Sequence, residues 1–120
     1  MKYVILIHSN PQPWGHPTID FTEVGRAIPA DERAAMGKEF DEMLTELSES
    51  GELVSGQALG PADGAKLYRG SRVATDGPYA EAKEHLAGFF LIDVDSQERA
   101  EAIAGRFAGP GDTIELRATM

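Results

Sequence analysis

Three histidines, an Asp-Gly-Pro-Tyr run and a small basic cluster are the residues of this 120-residue chain best suited to chemistry. His8, His16 and His85 are the side chains whose ordinary proton affinity suits transfer near neutral pH. None stands in a His-x-His or His-x-x-x-His spacing, so a metal site would have to gather ligands from distant parts of the chain. Asp93-Val94-Asp95-Ser96 has the look of a calcium loop, but its sixth position is Glu98 rather than Gly. Helical periodicity starts there at once, and capping accounts for these acids. The glycines form neither a Gly-x-Gly-x-x-Gly nor a Walker pattern, and no Ser sits in a Gly-x-Ser-x-Gly elbow. With zero cysteines there is no catalytic thiol, thiolate metal site or disulfide framework. The expectation is a protein with no metal and no cofactor.

Asp76-Gly77-Pro78-Tyr79 supports two readings. As structure, an Asp and a Gly before Pro, with Glu81 soon after, start a short helical turn toward the next strand. As function, Asp76 is an acid/base or hydrogen-bonding group at a pocket rim, with Tyr79 lining the pocket. A turn can hold a carboxylate rigidly, so both can be true. His8 closes the first apolar strand and is either structural or a proton-transfer group. His85 precedes a buried strand and can pair with Glu81 or Glu84. Lys66, Arg69 and Arg72 surround a hairpin turn, as a solvated face or as contacts for a ligand carboxylate or phosphate.

The elements that must position these groups can be read from periodicity. Residues 3–8 are apolar on both faces, Tyr3, Ile5 and Ile7 against Val4 and Leu6, which suits a strand in the middle of a covered sheet. Residues 9–28, broken by four prolines and glycines from Pro11 to Pro17 and by Gly25, form a long loop carrying Trp14, His16, Ile19 and Phe21. Loops this long are commonly lids or binding loops. Pro29 opens a helix whose Met36, Phe40, Met43, Leu44 and Leu47 fall on one stripe and which Gly51 stops. Strands follow at 53–59 and 86–94, separated by a hairpin, Lys66–Arg69 and Arg72–Thr75, around Gly70-Ser71 in a type II′ turn. On the 86–94 strand, Leu86, Phe90, Ile92 and Val94 take one face and Ala87, Phe89 and Leu91 the other. A second helix spans 96–107, with Asp95 as N-cap, and a last strand runs from Thr113 to Thr119.

This order is a βαββαβ ferredoxin-like pattern in an α+β domain, with an inserted hairpin. One domain fills residues 1–120. Both helices of that pattern cover one sheet face, yet two strands are apolar on both. The chain has no third long helix for the second face, so a homodimer with sheets packed face to face is expected. The balance of 11 basic against 20 acidic residues, a formal charge of −9, argues against nucleic acid and anionic membrane surfaces as partners. The five-residue apolar run at the start is shorter than a secretory core of about seven or more, and nothing approaches a membrane span of about 18. A cytoplasmic protein is expected.

The stretch from Val73 to Asp95 resembles the YCII-related family, in the branch named for an Asp-Gly-Pro-Phe motif. Asp76-Gly77-Pro78-Tyr79 carries that motif with Tyr for Phe, followed by Ala80-Glu81-x-Lys83-Glu84 and Gly88-Phe89-Phe90-Leu91-Ile92. Met1-Lys2-Tyr3 and Gly51-Glu52-Leu53-Val54 are similar as well. The resemblance implies a dimeric α/β-barrel of ferredoxin-like subunits. Relatives of the YCII type are proposed to use a His on the first helix with an Asp elsewhere, but that helix has no His here. Guided by the resemblance, the expected function is a small-molecule-binding protein or a cofactor-independent acid/base enzyme of isomerase or lyase type. His8 and Asp76 are its acid/base candidates, Tyr79 and Arg72 its ligand contacts, and Trp14 and His16 the roof. The pocket is expected between the sheet, the first helix and the 9–28 loop. The alternative is a non-catalytic dimeric module with a regulatory role, since members of that branch accompany sigma factors.

Overall fold

The alternation of Tyr3, Ile5, Ile7 and Ser9 against Val4, Leu6 and His8 makes Lys2–Ser9 a strand (β1) with one file fully inward. In the computed structural model β1 is followed by α1 (Glu23–Arg26), α2 (Ala30–Ser50), β2 (Leu53–Ala58), β3 (Lys66–Leu67), β4 (Thr75–Asp76), β5 (His85–Asp93), α3 (Gln97–Phe107) and β6 (Thr113–Ala118). The structure describes residues 1–15, 19–70, 72–79 and 83–120; His16, Ser71 and Glu81 lie outside them. The molecule is an α+β fold built on an antiparallel sheet of order β2-β5-β1-β6, with β3 and β4 as a separate two-stranded ladder. Among the described residues, no helix is long and apolar enough to cross a membrane.

α2 and α3 pack on one sheet face. Their Met43, Leu47, Ala100, Ile103 and Phe107 close over Tyr3, Ile5, Ile7 and Ile92. Ile5, Leu47, Ile92 and Ile103 are fully buried, each contributing roughly 1.5–3 kcal/mol of transfer free energy. Phe107 meets Phe40 edge-on at 5.5 Å and Phe90 at 4.9 Å, joining both helices to β5. Gly51 stops α2 in the left-handed region at φ 80°, where a Cβ is unfavourable. The molecule measures 44 × 38 × 19 Å, and its thin dimension accommodates one sheet and one helical layer. Its radius of gyration of 15.7 Å exceeds the about 13.6 Å of a globular domain of this length. It is a plate with one dressed side.

The two helices are also tied at their ends. Arg106 reaches Glu46, and Arg99 holds Glu52 through two 2.8 Å hydrogen bonds. That fork pulls the Glu52 carboxyl below its ordinary range, against the opposing effect of burial and with help from the Ser50 hydroxyl. The folded state therefore holds Glu52 ionised more firmly than the unfolded chain. Its stabilisation is complete at neutral pH and fades as pH falls below about 4.3 toward the lower folded value. Glu52→Gln is expected to cost about 1 kcal/mol at pH 7, a modest figure because Arg99 is 37% open to solvent. Urea unfolding at pH 7 and pH 3 tests this: the two proteins should differ at the first pH and converge at the second. An unchanged difference at both would remove the carboxylate from the account.

Three local readings change in three dimensions. Ser96, not Asp95, caps α3, its hydroxyl accepting from Arg99 N–H at 3.1 Å. The hairpin ladder pairs Lys66 with Asp76 and Leu67 with Thr75, one residue out of the register that a two-residue turn at Gly70-Ser71 sets; Ser71 lies outside the described residues. Asp76 ends β4, and the turn expected after it reaches residues 80–82, which also lie outside them. Leu86 does not share a face with Phe90: a register shift between Ile7 and His8 sets it opposite His8. The extra residue on β5 turns the strand by one position, which moves every side chain before it to the other face.

Candidate functional site

The described part of the 9–28 loop folds into a small structured wall. Thr22 is buried, and its hydroxyl accepts from Gly25 N–H at 3.0 Å to start α1. Gly25 lies so close to Ile19 that a Cβ would stand 1.9 Å from the Ile19 carbonyl oxygen. Arg33 of α2 donates to the Ile28 carbonyl and the Asp20 carboxylate at 3.1 and 3.2 Å, fastening the wall to the helix. Together these contacts present Ile19 and Asp20 to a cavity of about 410 Å³. The cavity lies between β1, the first half of α2, the end of α3 and the turn leading to β6. Its apolar lining includes Ile7, Ile19, Met36, Phe40, Met43 and Phe107.

Asp112 is set in the wall of this cavity, where the chain leaves the Gly109–Gly111 turn for β6. Behind it, Ser9 ends the inward file of β1 and is completely buried. Burial pushes the Asp112 carboxyl above its ordinary value; the Ser9 hydroxyl pulls it partly back, and the charge of Glu84 adds to the rise. Ser9 Oγ and Asp112 Oδ1 are both enclosed and lack a well-aligned hydrogen-bond partner among the described residues. A desolvated carboxyl beside an apolar surface is the usual arrangement for a proton donor or acceptor and for anchoring a ligand's polar end. Among the described residues, no group of three His, Cys, Asp or Glu side chains converges in a way that could hold a metal ion.

Of the expected site residues, His16 lies outside the described residues, and the others stand elsewhere. His8 is on the sheet face opposite the helices, its Nε2 3.0 Å from Glu115 Oε1 on β6. Asp76 is exposed and bonded to Lys66 within the β3–β4 ladder. His8 and Asp76 are thus held by different partners in different sheets. Tyr79 is 79% exposed, with Arg69 rather than Arg72 over its ring at 5.7 Å. Arg72 is exposed. Trp14 donates its indole N–H to the Leu59 carbonyl at 2.9 Å and so anchors the loop to the end of β2. A cavity between the sheet, the first long helix and the 9–28 loop does exist, but the partly desolvated carboxyl in its wall is Asp112. One signal for it was present: Ser9 places a hydroxyl at the end of an inward file of Tyr3, Ile5 and Ile7, where a buried partner is required.

The opposite sheet face has an apolar centre within a polar frame. Val4, Leu6, Phe89 and Leu91 sit side by side in register, flanked by Glu115 and Arg117 on β6 and by Ser55 and Gln57 on β2. All four central residues are only half-buried, because neither long helix reaches this side.

Comparison with known proteins places the chain beside a domain family and a curated relative. The YCII-related domain matches residues 1–109. An uncharacterized protein of Rhizobium meliloti (strain 1021) is 38% identical over 78 residues, a match covering 56% of this chain and 63% of that protein. The chain thus spans less than two thirds of that curated relative.

Proposed function

The chain belongs to the YCII-related family, and from that premise we propose that it is a homodimeric small-molecule-binding protein with its ligand in the cavity beside Asp112. The supporting observation is the coincidence of a largely apolar, half-open cavity with a partly desolvated carboxyl in its wall. If the ligand is turned over, the chemistry is a cofactor-independent proton transfer of isomerase or lyase type, with Asp112 in the acid/base role. The strand order supports a ferredoxin-like subunit, and the open apolar face supports a dimeric α/β-barrel in which a second copy covers Val4, Leu6, Phe89 and Leu91. In that assembly His8 and Glu115 would lie at the edge of the joined sheets. The Asp76-Gly77-Pro78-Tyr79 run supports placement in the Asp-Gly-Pro-Phe branch. A second reading, a non-catalytic dimeric module with a regulatory role, is favoured by the same open face, which serves assembly whether or not a ligand binds.

Gly37 provides a test. It lines the cavity on α2, and a Cβ added there meets nothing within 4 Å. Gly37→Leu is expected to stabilise the fold by about 0.8 kcal/mol through helix propensity while occupying ligand space. A thermal-shift screen with small aromatic compounds should therefore find ligands for the wild type that no longer shift the more stable variant. Equal ligand responses from both proteins would move the site away from this cavity.

A further inference from the structure

The charge around the cavity is lopsided. Asp20, Glu39, Asp41 and Asp112 contribute carboxylates, and among the described residues Arg106 is the cation. Arg106 is directed to Glu46 on α2, and Asp20 is held by Arg33. Glu39, Asp41 and Asp112 make no salt bridge among the described residues. The interior between them is apolar, bounded by Met36, Phe40, Ile19 and Phe107. Behind Asp112 the Ser9 hydroxyl is completely buried and outside the cavity lining.

We infer that this cavity takes a small organic ammonium ion, an apolar body with a protonated amine, whose head lies against Asp112 and whose body packs between α2 and Phe107. The inference rests on the cavity reading above and adds the chemical class of the ligand. Among the described residues, an anionic ligand would meet three carboxylates without a free cation. A neutral one would leave the Asp112 carboxylate beside the apolar lining without a counter-charge. An ammonium donates to the carboxylate, and its charge offsets the burial that raises the Asp112 pKa. The aromatic edges of Phe40 and Phe107 favour a flat or compact hydrocarbon body.

Three probes of one shape separate the possibilities: 2-phenylethylamine, 2-phenylethanol and phenylacetate, titrated into the full chain and followed by NMR. The amine is expected to bind about 10-fold tighter than the alcohol, with phenylacetate weakest, and to shift resonances of Ile19, Met36 and Phe40. Asp112→Asn should remove the preference for amine over alcohol without weakening the alcohol. Should Asp112→Asn fail to fold, the double variant Glu39→Gln and Asp41→Asn is expected to reduce the same preference. If the alcohol or phenylacetate binds as well as the amine, with shifts at Ile19, Met36 and Phe40, the ammonium assignment is overturned and the cavity reading stands. If none of the three moves those resonances, both are overturned.

Discussion

Leu6→Asp is expected to convert a dimer into a stable monomer. Leu6 sits at the centre of the open face, with Phe89 beside it on β5 and Glu115 beside it on β6. In a face-to-face pair, the new carboxylate would be buried against a second apolar sheet and would stand near its own symmetry copy and Glu115. An unpaired charge in such a position costs several kcal/mol, enough to weaken association by a factor of about 1000. In the monomer the same side chain remains in contact with water, so the helical face and its core should be undisturbed. Light scattering at micromolar concentration should give twice the chain mass for the wild type and the single chain mass for Leu6→Asp, with matching far-UV circular dichroism. A wild-type protein that is monodisperse and monomeric would falsify the dimer.

Gly25→Ala is expected to be the most destabilising single methyl group in the molecule. The added Cβ would stand 1.9 Å from the Ile19 carbonyl oxygen and 2.7 Å from Thr22 Oγ1. The first of these is backbone, so no rotamer change relieves it. Either the 3-10 turn Ile19–Phe21 moves away from α1 or the Thr22 cap is lost. A loss of about 3 kcal/mol is expected from such overpacking. The damage should concentrate in the wall that carries Ile19 and Asp20, so proteolysis within residues 9–28 should speed up and ligand binding should weaken. Gly37→Ala is the control, because the same substitution meets open space and improves helix propensity. Opposite signs from the two variants in urea unfolding are the expected result; similar, small effects would show that the Ile19 contact yields easily.

Much of this fold is legible in one dimension. The stripe from Met36 to Leu47 yields α2 because helical geometry repeats every 3.6 residues, and Gly51 stops it because few other residues accept a left-handed backbone. The alternation in 3–8 yields β1, and its apolar outer file already indicates a face that two helices leave open. The place of the cavity was legible as well, since a long loop with apolar residues must pack on something. The role of Asp112 in its wall was not. Asp112 follows a glycine-rich helix stop and, taken locally, is only a turn acid. It becomes a desolvated carboxyl because β6 pairs with β1, bringing it to the buried end of a strand more than a hundred residues earlier in the chain.

The three histidines and the Asp-Gly-Pro-Tyr run looked like chemistry because residue type is visible in a sequence and environment is not. In the structure His8 faces away from the cavity toward Glu115, and Asp76 is tied to Lys66 at the surface. Which strand face a side chain occupies is a matter of register, and one extra residue on β5 was enough to reverse Leu86. By itself the sequence determined the two long helices but not α1 within residues 9–28, along with the inward file of β1, the family resemblance and the exclusion of thiol chemistry, since each depends on neighbours in the chain or on composition. Only the tertiary structure decided which carboxylate loses its water, because desolvation is set by residues far apart in sequence that meet when the sheet forms.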